Sequence, residues 1–227
     1  MSVKEFMKSW TKGGVEGEFI KTIFVSLLTS FGILAVLYFL GLKSIGNFIP
    51  KYGFYLFFAI LSYSFILPSV KYVRAYREFP CMSGMMIGMT IGMIAGFLPA
   101  FYVSSTNGMF IGSIFGIVIG MSLGVWNGKC CGIMGAMEGM IAGFMGGLMG
   151  AMTALMMFND NLKAIAVIVF IISGFILFGL NYLIYKETRE MERRHKDDEF
   201  FTVFFSLLLT AVTAWIMVLG PRSILFQ

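Results

Sequence analysis

The residues of this chain best suited to chemistry are sulfur-bearing. Cys81, Cys130 and Cys131 are all of its cysteines, and it carries 19 methionines. On a helical wheel of about 100° per residue, Met134, Met145, Met149, Met152 and Met156 fall on one stripe together with Glu138. Met85, Met89 and Met93 recur every fourth residue in an earlier segment, with Met82 and Met86 nearby. Thioether and thiolate are soft donors that suit Cu(I) and, by the same argument, Ag(I). A run of weak sulfur sites would let an ion step along a helix and also leave it. The same methionines also suit packing, because an unbranched thioether fills irregular gaps. Both readings stay open at this point.

Glu138 is the one acidic residue well inside an apolar segment. A carboxylate there is costly and marks an ion site, a proton relay or a partner for a cation. His195 is the sole histidine and lies in the charged run 186–199, where Glu190–Arg194 and Glu192–Lys196 have the i,i+4 spacing of a solvated helix. The chain carries no nucleophile elbow, H-E-x-x-H pair, P-loop or dinucleotide fingerprint, so the expectation is a protein that is not an enzyme.

The elements that must position these groups are marked by glycine. Gly84, Gly88, Gly92 and Gly96 form one run of period four. Gly108, Gly112, Gly116, Gly120, Gly124 and Gly128 form a second, and Gly135, Gly139, Gly143 and Gly147 a third. Residues four apart share one side of a helix. In water each interior glycine costs about 1 kcal/mol against alanine. In a bilayer the backbone has no competing solvent, and a strip without side chains lets two helices approach closely. The runs predict three tightly packed transmembrane helices, a glycine-zipper core.

Composition agrees. Of 227 residues, 58% are hydrophobic and 13% charged, and mean hydropathy is +0.86. Globular chains average about 25% charged residues. The expected fold class is an all-α, polytopic membrane protein of about seven spans, at 19–42, 52–70, 81–103, 108–126, 130–158, 162–185 and 200–219. They make one domain, 19–220, preceded by a polar segment, 1–18. Turns are expected at 104–107, 127–129 and 159–161, the first placing Ser104 to Asn107 outside the helices. Cys81 then opens the third span, and Cys130 with Cys131 opens the fifth.

Seven spans put the termini on opposite sides. Of the 17 Lys and Arg residues, four (Lys43, Lys51, Lys163 and Arg222) fall on the C-terminal side, which leaves thirteen on the other. Positive residues concentrate in the cytoplasm. The N-terminus is therefore expected inside, the C-terminus outside, and all three cysteines at the cytoplasmic face of a cell membrane. The net charge of +5 follows from this topology and implies no nucleic-acid partner.

The pattern Met85-x3-Met89-x3-Met93 with Gly88 and Gly92 resembles, over one helix, the Met-x3-Met and Gly-x3-Gly motifs of eukaryotic-type high-affinity copper transporters. That family has three spans, places the two motifs on different helices and carries a methionine-rich tail, which this chain lacks. The adjacent Cys130 and Cys131 resemble the vicinal pair of bacterial mercury transport proteins, where the pair lies within a span. Both likenesses imply soft-metal cargo.

Two functions follow as expectations. One is a transporter or channel-like protein for a soft metal ion such as Cu(I), with Cys81, Cys130, Cys131 and the methionines as ligands and Glu138 as an ion or proton group. The other is a structural scaffold without transport, whose glycine faces join a homo-oligomer or a membrane complex.

Overall fold

The computed structural model describes residues 17–40, 52–75, 79–188 and 199–221. Most of the N-terminal segment 1–18, the loop with Lys43 and Pro50, and His195 with most of the run 186–199 lie outside the described residues. Nearly all of those described are helical, with no strand among them. The helices are α1 (Gly17–Leu40), α2 (Phe54–Ala75), α3 (Cys81–Asn107), α4 (Met109–Gly128), α5 (Gly132–Met156), α6 (Leu162–Thr188) and α7 (Glu199–Leu219). Six stretches are long and apolar enough to cross a bilayer, one fewer than the seven expected. The difference lies at Met109–Met156, a single 48-residue stretch. Its limbs α4 and α5 are joined by a 3-10 turn, Lys129–Cys131, rather than by an irregular loop. Gly132 then reverses the chain at φ +73°, in the positive-φ region that glycine enters freely. The protein is thus a multi-helix, membrane-type α fold.

The helices α3, α4 and α5 pack against one another along their lengths, far more closely than any other group. The glycine runs explain this. A Cβ on Gly88 would lie 2.8 Å from the Cα of Gly128 and 3.3 Å from the carbonyl oxygen of Gly135. One turn on, a Cβ on Gly92 would lie 2.6 Å from the Gly139 oxygen and 3.1 Å from the Gly124 Cα. At the next level, a Cβ on Gly120 would lie 2.7 Å from the Gly96 Cα and 2.8 Å from the Gly143 oxygen. Gly147 meets the backbone of Gly116 and Ile117 in the same way, and Gly112 meets Ser104 and Ala100. The levels at Gly88, Gly92 and Gly120 thus join backbones of all three helices. α4 runs antiparallel to its two neighbours, and α3 and α5 run parallel.

Two expected turns are helical instead. Ser104 to Asn107 form the buried last turn of α3, and Gly108 alone, at φ 109°, changes direction. Two of the polar side chains bond back to the helix: Ser105 Oγ donates to the Phe101 carbonyl at 2.7 Å, and Thr106 Oγ1 to that of Val103 at 3.0 Å. Asn127 likewise stays in α4, donating to the Leu123 carbonyl at 2.8 Å. Cys130 and Cys131 therefore sit in the 3-10 turn rather than opening a span, and α5 begins at Gly132.

Around this core, α1, α2 and α7 form a second group, with α6 against α2 and α3. Its interior is partly apolar, with Leu56, Ile60, Tyr63, Ile66 and Leu67 of α2 buried. Its α1 and α7 faces are lined by hydroxyls: Ser26, Ser30, Ser206 and Thr210 are all buried.

Candidate functional site

At one end of the glycine core the three cysteines converge. Cys130 and Cys131 Sγ are 3.9 Å apart. Cys131 Sγ also lies 3.8 Å from the Pro80 carbonyl oxygen and 3.9 Å from that of Phe79, just before α3 begins. That position brings it within interaction range of Cys81. The space that admits it comes from Gly84, because a Cβ there would overlap Cys131 Sγ and lie 3.0 Å from Cys130 Sγ. Cys130 Sγ donates to the Asn127 carbonyl at 3.2 Å. All three cysteines are free thiols; Cys81 is exposed and the other two half-buried. The sequence placed these thiols at one mouth, and the structure brings them together.

The surroundings are cationic and aromatic. Lys129 begins the turn that holds the thiols. Arg74, at the end of α2, lies over the Trp126 ring at 5.0 Å from its centroid, and Trp126 packs on Phe205 at 5.4 Å. Indole and guanidinium together are typical of the membrane–water boundary. Lys71 is at the same end, 3.4 Å from Thr22 Oγ1 of α1. Asn181 donates to Ser69 Oγ at 3.1 Å, which makes α6 parallel to α2 and brings Lys186 to this end as well.

The methionines take a different place. Met82, Met86, Met89 and Met93 of α3 are exposed, as are Met134, Met145, Met149, Met152 and Met156 of α5. Met85 is half-buried. None of the exposed nine points into the three-helix core. The backbone of Met93 lies where a Cβ on Gly146 would go, so both sulfur stripes border the one seam between α3 and α5. They form a continuous outward surface along that seam, starting at the thiol end. Glu138 is also exposed on this surface. It is not buried in a glycine interface, and it is about two turns from the start of α5.

Among the described residues, no group of three His, Cys, Asp or Glu side chains is disposed to hold a metal ion. The arrangement of the described residues offers paired thiols, a third thiol near by and thioethers beyond them. Sequence reasoning missed the buried hydroxyls of α1 and α7. Their signal was present as Thr22, Ser26 and Ser30, and again as Thr202, Ser206 and Thr210, each at a spacing of four.

The fold and site define a polytopic α-helical membrane-type protein with a sealed glycine core and a thiol cluster at one end of it. No protein-family model matches the chain, no curated protein matches it, and no solved structure matches it. The likenesses to copper and mercury transport proteins rest on the quoted motifs alone.

Proposed function

We propose that the protein is an integral membrane transporter or channel-like protein for a soft monovalent metal ion, Cu(I) first. The thiols capture or release the ion, and the methionine surface along the α3–α5 seam gives it weaker sites onward. The observation that carries this reading is the entry of Cys130 and Cys131 into the space left by Gly84, at the end of α3 that Cys81 opens, from a segment about fifty residues away. Two sulfurs 3.9 Å apart can both reach one ion at the about 2.3 Å of a zinc–thiolate bond, with the ion off the line that joins them. Thiolate and thioether both favour soft ions.

In this reading the thiol end faces the cytoplasm of the cell membrane, with the N-terminus inside and the C-terminus outside. Lys71, Arg74, Lys129 and Lys186 at that end support the assignment, and so does counting the antiparallel limbs α4 and α5 as two crossings. The test is to purify the full chain under reducing conditions with and without Cu(I) and measure bound metal. Retained copper that is lost in Cys81→Ser/Cys131→Ser supports the proposal, and a protein that stays metal-free rejects it.

A scaffold without transport is the second reading. The exposed methionine surface with Glu138 in its midst favours it, since a second copy or a membrane-complex partner would take that carboxylate out of lipid. The glycine faces are used up within the chain, so such a scaffold assembles through sulfur rather than through glycine.

A further inference from the structure

The thiol cluster carries chemistry that metal binding does not use. Cys81 stands in the first turn of α3 and is exposed, whereas Cys130 and Cys131 are half-buried in the turn between α4 and α5. Cys131 Sγ occupies the place where a Cβ on Gly84 would stand. Cys81 comes three residues before Gly84 on the same helix, a spacing at which Cβ positions are about 5–6 Å apart. A rotation of the exposed Cys81 side chain toward Cys131 closes most of that gap. The Cys131 sulfur also lies 3.8 Å from the carbonyl oxygen of Pro80, the residue joined to Cys81.

Cys130 is the poorer partner for a disulfide. Its sulfur is 3.9 Å from that of Cys131. Adjacent Cα atoms, however, are about 3.8 Å apart, less than the about 4.4–6.8 Å that an unstrained disulfide spans. Its thiol also donates to the Asn127 carbonyl of the preceding turn at 3.2 Å. Cys81 and Cys131 come instead from different elements, about fifty residues apart in the chain. The close approach of Gly88 to Gly128 and Gly135, one turn deeper, holds those elements in register. Redox-sensor cysteines are solvent-accessible and often stand next to a resolving cysteine. Disulfides of a cytosolic face are mostly transient ones of this kind.

We propose that Cys81 and Cys131 form a reversible oxidation site for small-molecule disulfides of the glutathione type, and that the bond closes the thiol cluster to soft metal. The exposed Cys81 loses its proton to water and attacks one sulfur of the oxidised reagent. That S–S bond breaks, a mixed disulfide forms on Cys81, and the first reagent thiolate leaves and is protonated. Cys131 then loses its proton and attacks Cys81 Sγ, which expels the second reagent thiolate. Two protein thiols become one disulfide as one reagent disulfide becomes two thiols, and excess reduced reagent runs both steps backwards. The product ties the start of α3 to the turn Lys129–Cys131 and leaves Cys130 as the one thiol of the cluster. The oxidation stands apart from the metal reading; only its effect on metal rests on that reading.

The test uses the purified full chain in detergent, metal-free and fully reduced, then equilibrated in glutathione buffers with a rising oxidised share. Free thiols are blocked with N-ethylmaleimide, and linked peptides are mapped by mass spectrometry. The expected product is an intramolecular Cys81–Cys131 disulfide with Cys130 blocked, reversed by reduced glutathione. Cys131→Ser should instead stop at a mixed disulfide between Cys81 and glutathione. Bound Cu(I) should fall at least tenfold in the oxidised wild type. Three blocked thiols in every buffer overturn the proposal, as does a wild-type bond that involves Cys130 or a second chain. Oxidised protein that keeps its copper overturns it too. A chain that forms the bond yet binds no copper in either state upholds the oxidation site and rejects the metal reading alone.

Discussion

Cys131 puts its thiol into the space that a side chain on Gly84 would fill. This relationship links the two unusual features of the composition. The last glycine level of the core is open on one side, and sulfur occupies the opening. Any side chain at position 84 must therefore displace the thiol. Gly84→Ala is expected to separate Cys131 from Cys81 while leaving α3, α4 and α5 assembled. A trivalent arsenical that bridges two thiols should react at least tenfold more slowly with the variant than with the wild type. Equal rates would show that the cluster does not depend on this gap.

The glycines divide into two classes that mutation should separate. Gly92, Gly124 and Gly139 face backbone at less than van der Waals distance from an added Cβ. Overpacking typically costs about 1–3 kcal/mol, so alanine at any of these positions should lower the detergent melting temperature by several degrees. Around Gly32, Gly174 and Gly179 an added Cβ meets nothing within 4 Å. Alanine there should leave melting unchanged or raise it slightly, since it is the better helix former.

Gly132 provides a separate check on the turn. Space around it is open, but its φ of +73° disfavours any side chain. With ψ at −152°, Gly132 occupies the extended positive-φ region that is essentially reserved for glycine, where a side chain costs about 1–3 kcal/mol. Gly132→Ala and Gly132→Asn should both destabilise by that amount, since asparagine tolerates only the left-handed helical region and not this one. A neutral Gly132→Ala would mean that α4 and α5 are not joined by this reversal.

Glu138 tests where its surface faces. It makes no hydrogen bond or ion pair with a described residue, so Glu138→Gln should change the stability of the monomer by less than about 0.5 kcal/mol. In proteoliposomes the same variant should slow copper movement if the carboxylate lies on the ion's route. Unchanged transport would remove Glu138 from the site.

The core was legible in the sequence because glycine at a spacing of four has one economical explanation in a bilayer. Gly88, Gly92, Gly124, Gly135 and Gly139 all meet partners on neighbouring helices, as the pattern implies. The helix ends were less legible. Ser104 to Asn107 look like a turn by composition, yet Ser105 and Thr106 bond back to the helix, and only Gly108 breaks it. The segment 127–129 reads as a turn, and the chain does reverse close by, but Asn127 and Gly128 stay in α4 and the reversal falls at the 3-10 turn Lys129–Cys131 and Gly132. The outward direction of the methionines was half legible: the wheel set them beside the glycine face, and only packing shows that α3 and α5 turn them to one common seam. The buried hydroxyls of α1 and α7 were overlooked because serine and threonine are ordinary in apolar helices. Their significance appears only when Thr29 meets Ser206 and Thr210 meets Ser30.

The most direct test of the account is X-ray absorption spectroscopy at the copper edge on the purified chain loaded with one equivalent of Cu(I) under reducing conditions. The account predicts a first shell made of sulfur alone, which loses intensity or changes to nitrogen and oxygen when Cys81 and Cys131 are replaced by serine. A nitrogen- or oxygen-dominated shell in the wild-type protein, or a spectrum unaffected by those replacements, would contradict it.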